Sequence, residues 1–130
     1  MGRIVLCVDD DPDDRELIRS AVFNVDPSYR MAFATNGSEA IKYLLDSIDT
    51  ELPCLIILDI NMPVMDGKQT ILEIKKIPEL MEIPVVVFTT SNHPSDKHFC
   101  EMMGVEMVTK PASLKQINQE AKKLLHYCED

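Results

Sequence analysis

Short apolar runs alternate with segments of helical spacing along the whole chain. Three of the runs, residues 4–8, 54–58 and 85–88, are continuous and rich in Val and Ile. Continuous apolar runs of this length are typical of strands that are buried on both faces of a parallel sheet. Two weaker runs, residues 29–35 and 105–108, predict two further strands.

Apolar residues recur at helical spacing after each of these runs. The first helical segment follows Pro12, a residue favoured at helix starts. The second follows Asn36 or Ser38, and either residue is a favoured N-cap. A third segment follows the central run, and a fourth ends at Gly104, as helices commonly end at glycine. The clearest apolar stripe predicts a fifth helix over residues 114–128.

The predicted order is therefore a strand followed by a helix, five times over. Parallel neighbouring strands need crossover helices, so this alternation predicts an α/β fold. We expect a doubly wound, five-stranded parallel sheet with helices on both faces. Such folds bind ligands outside the carboxyl ends of their strands, and the residues that follow the strands are the candidates for function.

Polar residues follow four of the five predicted strands. Asp9 and Asp10 come after the first strand, Asp59 after the third, Thr89 after the fourth and Lys110 after the fifth. Carboxylates crowded at one edge repel each other unless a cation neutralises them. Mg²⁺ suits a site with few carboxylates and several waters. Together with a lysine and a hydroxyl, such a site is suited to holding a phosphoryl group, with one Asp as the nucleophile.

Composition narrows the classes of function. The 130 residues include 13 Lys and Arg against 22 Asp and Glu, a formal net charge of −9. This acid excess argues against direct nucleic-acid binding and against docking on an anionic membrane, and no apolar stretch is long enough for a membrane span. The four cysteines include no closely spaced pair. Three of them lie in apolar runs, where a free thiol packs as a small hydrophobe, and we expect a reducing, cytoplasmic location.

Four segments at the strand ends carry a combined pattern. They are Val-Asp-Asp-Asp-Pro at 8–12, Ile-Leu-Asp-Ile-Asn-Met-Pro-Val-Met-Asp-Gly at 57–67, the run 84–89, and Thr-Lys-Pro at 109–111. Their combination and order resemble the receiver domain of two-component response regulators. The resemblance implies a flavodoxin-like sheet with strand order 2-1-3-4-5. It also implies that residues 1–130 form a single receiver domain without an output domain.

The resemblance implies a phosphorylation switch. Asp59 is expected to accept a phosphoryl group from the phosphohistidine of a sensor histidine kinase or a histidine phosphotransfer protein. Thr89 is expected to turn toward that group, and Lys110 to pair with the acceptor carboxylate or its phosphate. The bond between Lys110 and Pro111 is expected to be cis. The domain is not expected to be an enzyme beyond assisting its own phosphorylation and dephosphorylation.

The resemblance also implies a Mg²⁺ site and protein partners. Asp10 and Asp59 are expected to bind the ion, Asp9 to hold a metal-bound water, and Asn61 to supply its backbone carbonyl. The face of the fourth helix, fifth strand and fifth helix is expected to change on phosphorylation and to control an unknown target or a phosphorelay. Whether phosphorylation also drives formation of a homodimer is left open.

Two positions depart from the family pattern. Family members often carry Tyr or Phe three residues before the Lys, where this chain has Met107, and Phe after Lys-Pro, where it has Ala112. The phosphorylation chemistry does not depend on either residue. In the family, however, that aromatic side chain swings inward on phosphorylation, and this part of the response is in doubt here. Met107 either packs in the core or, with Met102 and Met103, forms a soft surface that can repack.

Two other functions use related folds. A haloacid dehalogenase-like phosphatase also uses a strand-end Asp with Mg²⁺, and residues 9–11 contain the Asp-x-Asp pattern. However, Pro12 and Asp13 replace the residues that usually follow it, and Asp59 is unexplained. A flavin carrier needs a phosphate loop after the first strand, where the five carboxylates between Asp9 and Asp14 repel a flavin phosphate.

Overall fold

The computed structural model describes residues 3–129, and within them strands alternate with helices in the predicted order. No helix in that range is long and apolar enough to cross a membrane. The elements are β1 (Ile4–Val8), α1 (Pro12–Val25), β2 (Arg30–Ala34), α2 (Gly37–Ser47), β3 (Leu55–Leu58), α3 (Gly67–Lys76), β4 (Val85–Thr89), α4 (Pro94–Met103), β5 (Glu106–Thr109), α5 (Leu114–Leu124) and a 3₁₀ helix (Leu125–Cys128).

The strands form one parallel sheet in the order β2-β1-β3-β4-β5. This confirms both the parallel sheet and the strand order that the resemblance implied. The register aligns Val8 of β1 with Leu58 of β3. Asp9 and Asp59 follow these two residues and therefore lie at the same edge of the sheet. Thr89 and Thr109 are aligned in the same way on β4 and β5.

The sheet separates two hydrophobic cores. On β3, Leu55 and Ile57 face the core formed with α1 and α5, whereas Ile56 and Leu58 face the core formed with α2, α3 and α4. Both faces of the central strands are therefore covered, which explains their continuous apolar runs. Burial of each Leu or Ile contributes about 1.5–3 kcal/mol, so the central strands are a rigid support for the residues at their ends.

Polar caps start the helices close to the edge where the functional residues lie. The Asp11 side chain accepts a hydrogen bond from the N–H of Asp13 and caps α1, and Asn36 caps α2 in the same way. Asp66 caps α3, and its side chain accepts a hydrogen bond from the N–H of Gln69 at 2.9 Å. At the other end of α4, Gly104 has a φ of 68°, the left-handed conformation that favours glycine at a helix end.

The cysteine interpretation was wrong for two of the four residues. Cys54 and Cys128 form a disulfide that closes a sequence separation of 74 residues, while Cys7 and Cys100 are buried free thiols. Cys128 lies in the 3₁₀ helix that replaces the last turn of the predicted fifth α-helix. Folding brings the two Cα atoms to 5.1 Å, a proximity that sequence spacing does not reveal because it depends on how the last helix packs on the sheet.

We expect reduction of the Cys54–Cys128 disulfide to lower the free energy of unfolding by about 2–4 kcal/mol, because the unfolded chain then loses a cross-link that closes a long loop. Urea unfolding with and without dithiothreitol measures the difference. The variant Cys54→Ser is the matched control, since its stability should not respond to the reductant. Alkylation of four thiols in the unreduced, denatured protein would contradict the disulfide.

Candidate functional site

One ammonium group joins three carboxylates at the carboxyl edge of the sheet. Lys110 Nζ donates to Asp9 Oδ2 at 2.8 Å, to Asp59 Oδ2 at 2.9 Å and to Asp14 Oδ2 at 2.7 Å. Asp9 is 2% exposed and Asp59 8% exposed. The structure therefore brings together three of the residues that were predicted from separate strand ends, and it adds Asp14.

Asp14 is the site residue that the sequence interpretation missed. It was counted only among the five carboxylates between Asp9 and Asp14, of which Asp11 caps α1. Asp14 instead reaches Lys110, because side chains in a helix point back toward its N-terminus and α1 starts directly at the sheet edge. Its place in the first turn of a helix that follows a strand end was the available signal.

Three carboxylates form a group that fits a divalent cation. One oxygen from each of Asp9, Asp10 and Asp59 lies within 4.8 Å of the others, and Asp10 is exposed while the other two are buried. The N–H of Asn61 donates to Asp59 Oδ1 at 3.3 Å. Asn61 and Asp10 also line one pocket of about 470 Å³. A donor set made only of oxygens suits a hard ion such as Mg²⁺.

Burial and charge pairing act in opposite directions on the pKa values of the site residues. Burial raises the pKa of Asp9, although hydrogen bonds from Lys110 and from the N–H of Asp11 favour its charged form. Burial works against the charge of Lys110, but its hydrogen bonds to Asp14, Asp9 and Asp59 outweigh that effect and hold its pKa above the usual range. Lys110 is therefore a fixed cation at neutral pH.

The thiol of Cys7 lies below the site on β1 and is not a competing nucleophile. Burial first, and then the nearby charge of Asp9, raises its pKa to about 12. A thiol reacts as its thiolate, and this thiol stays protonated at neutral pH. The carboxylates are the nucleophiles that the site offers.

Thr89 ends β4 and is fully buried. Its Oγ1 accepts a hydrogen bond from the N–H of Ser91 at 3.1 Å, and its backbone carbonyl accepts from the N–H of Lys110 at 2.9 Å. The hydroxyl is therefore engaged by the β4–α4 loop, and the backbones of Thr89 and Lys110 are linked directly.

The loop before α3 is packed tightly against the acceptor strand. A Cβ on Gly67 would lie 2.5 Å from the carbonyl oxygen of Asp59, and the N–H of Gly67 donates to the carbonyl of Ile60 at 2.9 Å. In the same loop, Val64 has a φ of 66°, a strained conformation for a β-branched residue. The Asp-Gly that ends the 57–67 segment is therefore needed for close approach of α3 to Asp59.

Two further expectations concern the segment around Lys110. The expectation of a cis bond before Pro111 is wrong, because no cis peptide occurs in residues 3–129. The trans isomer of such a bond is intrinsically favoured by about 0.5–1 kcal/mol, and Lys110 reaches all three carboxylates with it. Met107 is half-buried and packs against the core on the α4 side of the sheet.

Comparison with known proteins gives a consistent family. The chain is similar to response regulator Rcp1 of Synechocystis sp., at 33% identity over 119 residues that cover 88% of this chain and 81% of Rcp1. It is also similar to the two-component response regulator ARR17 of Arabidopsis thaliana, at 32% identity over 88% of this chain and 80% of that protein.

Solved structures show the same architecture. The phosphorylated cyanobacterial phytochrome response regulator RcpA superposes with a TM-score of 0.88 at 32% identity, covering 98% of this chain and 94% of that one. The Mn²⁺-bound form of Rcp1 superposes with a TM-score of 0.83 at 27% identity, covering 98% and 94%. The family model described as the response regulator receiver domain matches residues 5–122, and the chain therefore belongs to that family.

Proposed function

We propose that Asp59 is the phospho-acceptor of a Mg²⁺-dependent signalling switch. The donor is the phosphohistidine of a sensor histidine kinase or a histidine phosphotransfer protein. The observation that carries this proposal is the placement of Asp59 at the end of the central strand, between a fixed cation on Lys110 and the N–H of Asn61. Membership of the receiver family implies phosphorylation-dependent signalling in general.

The positions of Asp59, Asp9 and Asp10 support a different role for each carboxylate. Asp59 has one oxygen on Lys110 and the other near the N–H of Asn61, beside the pocket that a phosphoryl donor enters. Asp9 is more deeply buried and is anchored by the N–H of Asp11 at 3.0 Å. Asp10 is exposed toward the pocket. We therefore assign Asp59 as the nucleophile, with Asp9 and Asp10 as ligands of the ion.

The transfer forms one bond and breaks one. A carboxylate oxygen of Asp59 attacks phosphorus, the bond between phosphorus and the imidazole nitrogen of the donor breaks, and that nitrogen keeps the electron pair and takes a proton. Lys110 offsets the negative charge on the acceptor side. Asp9, Asp10, Asp59 and the carbonyl of Asn61 are the ligands we propose for Mg²⁺, which when bound neutralises phosphoryl oxygens. Thr89 then donates its hydroxyl to the new group.

The output surface that we propose is the face of α4, β5 and α5. Met102 is 73% exposed on α4, whereas Met103 and Met107 are half-buried and pack against the core. Unbranched methionine side chains repack at low cost. The direct backbone link between Thr89 and Lys110 joins this face to the site, so a shift at Thr89 is transmitted to the surface that binds a kinase, a relay protein or a downstream target.

We expect incubation with acetyl phosphate and Mg²⁺ to add one phosphoryl group to the wild-type protein. Asp59→Asn should abolish the adduct, because an amide is a poor nucleophile and lacks the charge that pairs with Lys110. Intact mass spectrometry measures the adduct. Asp46→Asn, an exposed carboxylate on α2, is the matched control and should be phosphorylated like the wild type. An adduct that persists in Asp59→Asn would show that another residue is the acceptor.

We expect Asp10→Asn to weaken Mg²⁺ binding at least about tenfold. Removing a residue that only orients a metal ligand lowers metal affinity by about 10–100-fold, and Asp10 is proposed as a direct ligand. Isothermal titration calorimetry with Mg²⁺ measures the affinity. Asp13→Asn removes a neighbouring exposed carboxylate on α1 and is the control, with affinity close to that of the wild type. Equal losses in the two variants would mean that general acidity, not a defined ligand, holds the ion.

A further inference from the structure

A second charged cluster lines the same pocket as Asp10 and Asn61, and the chemistry proposed above gives it no role. Asp96, near the start of α4, is mostly buried. Its Oδ1 pairs with Lys68 Nζ of α3 at 2.7 Å, and its Oδ2 accepts from Ser91 Oγ in the β4–α4 loop at 2.5 Å. One carboxylate therefore ties together α3, α4 and the loop between β4 and α4.

Both partners hold the Asp96 carboxylate in its charged form. Hydrogen bonds from Lys68 and Ser91 keep its pKa below the usual range although burial opposes this. Lys68 is itself held over the ring of Phe99, with its Nζ 5.7 Å from the ring centroid. A buried carboxylate that loses its partners costs several kcal/mol, so this cluster resists separation of α3 from α4.

Ser91 connects the cluster to the phosphorylation site. While its hydroxyl binds Asp96, its N–H donates to Thr89 Oγ1 at 3.1 Å, and its own Oγ accepts from the N–H of His93 at 3.3 Å. The position of the Ser91 backbone is thus set from the α4 side. The Ser91 N–H in turn engages the Thr89 hydroxyl, which the proposed switch needs to turn toward Asp59.

We propose that Asp96 is a positioning residue for Thr89. Held by Lys68 and bound to Ser91, it keeps the Thr89 hydroxyl engaged by the loop and so opposes its movement toward a phosphoryl group on Asp59. The inference rests on the proposed function. A ligand that requires the Thr89 hydroxyl to turn toward Asp59 binds more weakly, by the free energy of leaving its resting orientation on the loop. Removing the hold of Asp96 on Ser91 lowers that free energy and therefore strengthens binding at Asp59.

The test uses beryllofluoride with Mg²⁺ as a phosphoryl mimic, followed through the amide resonances of Asn61 and Ser91. We expect Asp96→Ala to lower the half-saturating beryllofluoride concentration at least about fivefold, the lower end of coupling between sites in proteins. Lys68→Met should shift it in the same direction but less, because the bond from Ser91 to Asp96 survives. Lys68→Met also decides the question if Asp96→Ala does not fold.

Two controls separate positioning from a general structural effect. Lys76→Met removes an exposed ion pair with Glu73 on the same helix as Lys68 and should leave the titration unchanged. In a Thr89→Ala background, Asp96→Ala should give no further shift, because the hydroxyl that it positions is gone.

The outcomes distinguish this inference from the function on which it rests. If the wild type does not bind beryllofluoride, or Asp59→Asn binds it equally well, the proposed function fails. If the wild type binds but the foldable variants bind equally or more weakly, the positioning role of Asp96 is overturned while the switch stands. An equal gain with and without the Thr89 hydroxyl also overturns it.

Discussion

Repulsion among carboxylates at one edge of the sheet is the constraint on which the rest of the site depends. Parallel strands end at the same edge, and the register of β1 and β3 brings Asp9 and Asp59 there together. Such charges are stable in a buried setting only when cations and hydrogen bonds offset them. Lys110 meets part of this requirement through three carboxylates, and the remaining negative charge is what makes the edge attractive to a divalent ion.

The same arrangement supports the proposed transmission of a local event at the site to the surface. The central strands are buried on both faces and cannot move without disturbing two cores. The polar loops at the carboxyl edge are held instead by hydrogen bonds, which can exchange partners at lower cost. Thr89 lies at this boundary, with its backbone bonded to Lys110 and its hydroxyl bonded to the loop. A change at Asp59 therefore has a physical route to α4 and β5.

Several parts of the structure could be predicted because they depend on local patterns. The apolar runs identified every strand to within a few residues, and strand-end chemistry identified Asp9, Asp59 and Lys110 as neighbours. The order of the strands required the family resemblance, since alternation is compatible with several orders. The failures, namely the disulfide, the bond before Pro111 and the role of Asp14, all concern geometry between segments that are distant in the chain or details of a single backbone torsion.

The sequence by itself determined which residue types stand at the ends of buried strands, because periodicity and apolar runs act over a few residues. Only the tertiary structure decided which carboxylates besides Asp9 and Asp59 share Lys110 and which bind elsewhere. Asp14 joined the site, Asp11 capped a helix, and Asp96 bound Lys68 and Ser91. The reason is that the partner of a charged side chain depends on distance and burial. Both are set only when helices from distant parts of the chain pack on one sheet.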